Sequence, residues 1–181
     1  MSEPLRVADR EAWANWLEAQ HAEARGVWLT IRKKGSMHSG VFLGEAVEEA
    51  IIYGWIDSQM KPLDADEYLL RFTPRRDDSP WSLRNREMAE RLVTEGRMKE
   101  AGLARVEEAK RNGRWGAAYS SKEPPKIPTD LENALKKRGA LDRFRATSNS
   151  NQLQYIFWID EAKRPETRAK RIRETIDKNS G

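Results

Sequence analysis

GWIDSQMKPLDADEYLLRFTPRRDDSPWSLRN, residues 54–85, is the stretch whose periodicity decides the fold. Trp55, Asp57 and Gln59 fall on one side of a two-residue repeat and Ile56 and Ser58 on the other. Further on, Leu69, Arg71 and Thr73 alternate with Tyr68, Leu70 and Phe72. Alternation of this kind describes two strands, each with two unlike faces. The Pro and Asp residues of KPLDAD between them suit a turn, so the segment is predicted to be a hairpin. An in-phase antiparallel register would place Asp57 and Arg71 as neighbours on one face. After the second strand, Ser79 followed by Pro80 predicts a helix start. Serine accepts hydrogen bonds from the free N–H groups there, and proline at the first helical position gives up no needed bond.

The same stretch supplies the candidate site. Free N–H groups and the positive end of a helix favour an anion, and Arg75 and Arg76 beside it offer forked, charge-assisted hydrogen bonds to phosphate or carboxylate. Asp77 and Asp78 support a second reading, in which they pair with the arginines and serve the helix end internally; both readings stay open. Trp55 and Trp81 either line a pocket or fill the core. Asp57 is a general base if partly buried, but pairing with Arg71 would lower its pKa and favour a ligand-orienting role. Lys33, Arg71, Arg75 and Arg76 are expected to converge with Ser79 in a groove between an α/β half and a helical half.

Working outward, Asp9 is a fitting N-cap for a helix through about Ala24, with Trp13, Trp16, Leu17 and Gln20 on one face and Gly26 ending it. VWLTIRK (27–33) alternates as a strand, and Lys33 to Gly40 is a polar loop. Ala46, Val47, Ala50 and Ile51 recur at helical spacing in a segment from Gly44 to Tyr53, with Gly54 as its C-cap. From Pro80 onward the pattern is helical, interrupted at Gly96, Gly113–Pro128, Gly139 and Pro165. A helix after Ser148, capped by Asn149 or Ser150, turns Tyr155, Ile156, Trp158 and Ile159 inward. In the last helix Arg164, Arg168 and Arg171 share one face and Ala169, Ile172 and Ile176 another, with Glu166 and Lys170 at i,i+4 spacing. The predicted class is α+β: an N-terminal half with a small, mainly antiparallel sheet and helices, followed by a mostly helical C-terminal half. Three regions are expected: residues 1–113, a Gly/Pro-containing linker at 114–127, and residues 128–181.

Composition removes several function classes. Zero cysteines exclude disulfides, thiol nucleophiles and thiolate metal sites. The only two histidines, His21 and His38, lie in separate segments, and no metal or cofactor is expected. Phosphate-loop, dinucleotide and G-x-S-x-G motifs are all missing, and no nucleophile with an adjacent base can be assembled, so a binding protein is favoured over an enzyme. No apolar run is long enough to span a membrane, and the N-terminus lacks a signal-peptide core, so a cytoplasmic location is expected. Residues 1–81 hold 10 Lys+Arg and 14 Asp+Glu, whereas residues 82–181 hold 23 and 15. Their interleaving favours a solvated helical surface, and it leaves nucleic acid, gripped by Arg164, Arg168 and Arg171, as the alternative partner.

KKGSMHSG (33–40), EAVEEAIIYGWID (45–57), RFTPRRDDSPWSLRN (71–85), the AK-x-x-G-x-W of Ala109 to Trp115 and IDEAKRPETRAKRI (159–172) occur in an order that resembles the YdeI/OmpD-associated, bacteriocin-protection family. The resemblance runs from about Trp13 to Ile176. Its motif positions here are Gly54, Trp55, Ile56, Asp57, Arg71, Pro74, Arg75, Ser79, Trp81, Ser82 and Asn85, which adds Ser82 and Asn85 to the ligand-binding set. It implies resistance to bacteriocins or cationic peptides and an association with the bacterial envelope, and it transfers no catalytic residue. The function expected from sequence is therefore a non-catalytic stress-resistance protein that binds a small anionic ligand or a protein partner. The alternatives are nucleic-acid binding through the basic C-terminal helices and a small-molecule enzyme with Asp57 as acid/base.

Overall fold

A computed structural model describes residues 3–120 and 123–179, without the side chain of Ser150. The chain divides into two compact units, Met1–Ala118 and Tyr119–Gly181. In the first, α1 (Arg10–Gln20) leads to β1 (Val27–Arg32), a two-residue β2 (Val41–Phe42), α2 (Leu43–Ile52), the hairpin β3 (Trp55–Pro62) and β4 (Glu67–Pro74), then α3 (Leu83–Thr94) and α4 (Glu100–Arg111). The sheet order is β2-β1-β4-β3, with β1 and β2 parallel and the other pairs antiparallel. The mainly antiparallel α+β class predicted from the alternating segments is what forms.

The hairpin register departs from expectation. Asp57 stands opposite Phe72, and the ladder shifts before Met60 pairs with Leu70. Directly opposed residues share a face, so Asp57 lies on the side of Phe72 and Leu70, while Arg71 faces the other side with Trp28. The irregularity at Ser58 and Gln59 is the physical reason, because one slipped residue moves a side chain to the other face.

The first core forms where α1 and α2 cover one face of this sheet. Trp13, Leu17, Leu29, Ile31, Trp55 and Phe72 are almost fully buried. The Trp13 ring stacks on Trp16 at 5.3 Å, and its indole N–H reaches the Ala46 carbonyl at 3.1 Å. Asp9 caps α1 by accepting from Ala12 N–H. That helix stops at Gln20, short of Ala24, and its C-cap is His21 in place of Gly26. The reason lies outside the helix: the His21 carbonyl is taken by the Trp55 indole. Gln20 is exposed and does not join the buried face.

Gly54 ends α2 with φ +75, a conformation that costs a side-chain-bearing residue roughly 1–3 kcal/mol. Helix α4 also passes so close that a methyl group at Gly54 would sit 2.7 Å from the Ala101 carbonyl oxygen, and one at Gly102 would sit 2.3 Å from that of Ile52. Two glycines thus let α2 and α4 touch backbone to backbone. Helix α2 is also tied electrostatically to α1, to α3 and to the segment before α4, since Glu48 accepts hydrogen bonds from Arg10, Arg91 and Arg97 at 2.5–2.7 Å. Burial opposes Glu48 ionisation, but the three arginines outweigh it and hold the carboxyl down at about 2.

The second unit contains α5 (Thr129–Lys137), α6 (Leu141–Ala146), α7 (Asn149–Asp160) and α8 (Pro165–Asn179) around Leu131, Leu135, Phe144, Ile156, Ile159 and Ile176. Tyr155 and Trp158 pack against this cluster partly buried. The cap of α7 is Ser148, which accepts from Asn151 N–H, one residue before the positions expected from sequence. In α8 the predicted faces are revised: Ala169 is exposed, whereas Arg168 and Arg171 turn toward α7 with Ile172 and Ile176. The i,i+4 pair that forms is Lys170 with Glu174.

Candidate functional site

The segment after β4 does not become helix at Ser79. Ser79 Oγ accepts from Arg76 N–H at 2.9 Å and Ser79 N–H returns to the Arg76 carbonyl, which closes a turn through Asp77 and Asp78. Helix α3 starts three residues later, where Ser82 caps it by accepting from Asn85 N–H. The displacement follows from Trp81, which is 3% exposed and meets Trp115 at 4.8 Å. Carrying that indole into the core keeps the chain extended through Pro80 and Trp81, and the next serine takes the cap. Ser82 and Asn85 therefore serve the helix end itself.

Trp81 also positions Arg75, the first cation of the candidate site. The Arg75 guanidinium lies 3.7 Å over its ring and donates to the Pro80 carbonyl at 3.1 Å, and the residue is only 4% exposed. A buried arginine held by stacking and a backbone acceptor is preorganised, with little side-chain freedom left to lose. Arg75 forms part of the wall of a cleft of about 220 Å³ at the end of α2, together with Gly54, Trp55, Pro74, His21 and Arg105. An adjoining cleft of about 490 Å³ shares His21 and Tyr53 with it and adds Glu18 and Lys99.

The polar groups around these clefts are ordered by one another. Tyr53 donates its phenol hydrogen to Glu18 at 2.5 Å, and Lys99 approaches the same carboxylate at 3.2 Å. Burial and then the Glu18 hydrogen bond raise the Tyr53 pKa, so the phenol stays protonated; the same bond, with Lys99, lowers Glu18. His21 Nδ1 lies 2.8 Å from the Leu17 carbonyl. A carbonyl only accepts, so Nδ1 carries the hydrogen and Nε2 holds the lone pair in the neutral ring. Arg105 bonds Asp77 at 2.8 Å, so the internal pairing foreseen for that aspartate occurs with a cation from α4. Arg76 lies 3.3 Å from Asp78 on the surface.

The convergence expected of Lys33, Arg71, Arg75, Arg76 and Ser79 does not form. Lys33 donates to the Asp64 and Ala65 carbonyls at the hairpin turn, the opposite end of β4 from Arg75. Arg71 faces Trp28 at 5.8 Å on the sheet side away from Phe72. Trp55 forms cleft wall as well as core, being 1% exposed with its N–H on His21. Asp57 lies on the Phe72 side, where its charge, after burial, helps to raise the Tyr68 pKa. Sequence reasoning missed Glu18, His21, Tyr53, Lys99 and Arg105. Only Tyr53 carried a local signal, as the residue that closes α2 just before Gly54; the others arrive from α1 and α4.

Two of the three C-terminal arginines, Arg168 and Arg171, are drawn inward. Arg168 bonds Asp130 at 2.6 Å and Asp160 at 2.8 Å, which raises its pKa and lowers that of Asp130. Arg171 donates to the Trp158 carbonyl, and Arg164 is exposed. A cleft of about 560 Å³ in this unit includes Lys126, Glu132, Arg145 and Gln152, but Arg145 pairs with Glu132 at 3.0 Å and Gln152 donates to the Arg145 and Thr147 carbonyls. Among the described residues no three His, Asp or Glu side chains gather to hold a metal, and no helix is long and apolar enough to cross a membrane.

Fold and clefts define an α+β domain with a four-stranded mixed sheet, followed in the chain by a helical domain. Residues 5–105 match the model of a domain of unknown function, DUF8412, and residues 124–180 match the model described as Bacteriocin-protection, YdeI or OmpD-Associated. The first match spans more than half of the chain, which therefore belongs to the DUF8412 family; the second supports YdeI/OmpD-associated membership through the C-terminal region. The GWID and FTPR motifs fall within the DUF8412 match, so the YdeI/OmpD-associated match covers a smaller part of the chain than the resemblance inferred from those motifs. No curated protein and no solved structure matches the chain.

Proposed function

We propose that the first unit binds a small anionic ligand in the paired clefts at the Gly54–Trp55 turn, without catalysing a reaction. The observation that carries this reading is the cleft wall, where Arg105 of α4 and His21 at the end of α1 meet beside Arg75, a residue 4% exposed whose guanidinium is locked over Trp81. Forked donors suit a carboxylate or phosphate, while Ala22, Pro74 and Trp55 supply apolar wall for the remainder of a small molecule. Stress resistance, the setting that the bacteriocin-protection label suggests, is the role we assign to this binding.

Isothermal titration and thermal shift with inorganic phosphate, phosphorylated metabolites and small organic acids test the proposal. A ligand of the right class raises Tm. Arg105→Gln should then weaken binding by about tenfold, the loss of one charge-assisted hydrogen bond. Asp77→Asn should tighten binding, because Asp77 competes for the Arg105 guanidinium. Absence of any shift across the panel, or Arg105→Gln binding like wild type, would overturn the reading.

A further inference from the structure

The two clefts at the Gly54–Trp55 turn differ in what they offer a ligand. The cleft of about 220 Å³ presents Arg105, whereas the adjoining cleft of about 490 Å³ is walled by Glu18, His21, Tyr53 and Lys99. In the second, both polar contacts of Glu18 fall on one carboxylate oxygen: the Tyr53 hydroxyl donates to Oε2 at 2.5 Å, and the Lys99 ammonium lies 3.2 Å from the same atom. The other oxygen, Oε1, accepts from no described residue. His21 repeats the pattern. Its Nδ1 is held by the Leu17 carbonyl at 2.8 Å, which leaves Nε2 in the neutral ring with a lone pair and no donor among the described residues. The imidazole lies 5.1 Å from the Tyr53 ring, so the residues that carry the two open acceptors both touch Tyr53 and line the same cleft.

Open acceptors select a ligand that donates, through hydroxyl or ammonium groups. The Lys99 ammonium already sits at Glu18, so a second ammonium there would meet like charge. A hydroxyl is neutral, and it also accepts, which suits the Lys99 donor where an ammonium would not. Glu18 and His21 stand three residues apart at the end of α1, a spacing that makes their side chains neighbours and matches hydroxyls on adjoining carbons. His21 lines both clefts, so a molecule with its anionic group at Arg105 carries its next carbons past the imidazole toward Glu18.

Resting on the anion-binding reading above, we propose that the ligand is a hydroxylated small anion, a polyol phosphate or a hydroxy acid, whose hydroxyls donate to His21 Nε2 and to Glu18 while its anionic group meets Arg105. Isothermal titration of the full chain with matched pairs tests it: glycerol 3-phosphate against propyl phosphate, and glycerate against propionate. Each pair shares its charged group and its carbon chain and differs only in hydroxyls. The hydroxylated member should bind at least about tenfold more tightly, the worth of one or two hydrogen bonds. Glu18→Gln and His21→Phe should each cut that preference at least about threefold while leaving propyl phosphate unchanged, whereas Arg105→Gln should weaken both members alike. A variant that merely loosened the fold would weaken both members too, so the preference itself is the readout. Equal binding within a pair, or a preference that survives both Glu18→Gln and His21→Phe, would overturn the inference and leave the anion reading standing. Tighter binding of 2-aminoethyl phosphate than of glycerol 3-phosphate would overturn it in favour of an ammonium. No binding by any probe would overturn the anion reading and this inference together.

Discussion

Glu48 carries three arginines at once, and its substitution is the sharpest electrostatic test in the first unit. Its folded pKa of about 2 lies below the ordinary value of 4.5, so the stability it contributes is complete above pH 4.5 and is lost as pH falls toward 2. Glu48→Gln should destabilise the protein by on the order of 2–3 kcal/mol at pH 7, and urea melts at falling pH should show the difference from wild type shrinking below pH 4.5. At Gly54 the expectation is steric. Gly54→Ala meets both a positive φ and the Ala101 carbonyl at 2.7 Å, and should cost more than about 1 kcal/mol in the same melts. Gly54 was legible in the sequence as a helix terminator. Its second reason, the passage of α4, was not, because Ala101 is 47 positions away and nothing local announces the contact.

At the scale of elements, the two serines of the SPWS motif separate by role. Ser82→Ala removes the α3 cap and should lower stability by about 1 kcal/mol, while Ser79→Ala loses a hydrogen bond in an exposed turn and should cost less. Equal losses would mean that the helix begins at Ser79 after all. Helix α8 invites a parallel comparison. Arg168→Ala deletes the cation shared by Asp130 and Asp160 and should destabilise the second unit by about 1–3 kcal/mol, whereas Arg164→Ala, at an exposed site, should stay within about 0.5 kcal/mol. The arginine spacing in α8 was visible from the sequence, but its direction was not. Periodicity tells which residues share a face, and only the carboxylates of Asp130 and Asp160 decide that this face is turned toward the protein.

At the scale of the whole molecule, each unit has its own buried cluster. Trp13, Leu29, Trp55, Phe72 and Trp81 all come from residues 1–118, and Leu131, Phe144, Ile156, Ile159 and Ile176 from the remainder. A fragment of residues 1–118 should therefore unfold cooperatively in a thermal melt, and Phe144→Ala in the full chain should cost the second unit about 3–5 kcal/mol, read by loss of amide protection confined to residues 119–181. By itself the sequence determined the class of fold, the existence of the hairpin, the helices and most of their breaks. Those features follow from short-range periodicity, caps, glycines and prolines, which act over a few residues. Tertiary structure alone decided the register that parts Asp57 from Arg71, the shift of the α3 cap to Ser82 and the assembly of His21, Tyr53, Arg75 and Arg105 around one cleft. These depend on which side chains reach the core first and which distant helix then lies against them, and a one-dimensional pattern holds no record of either.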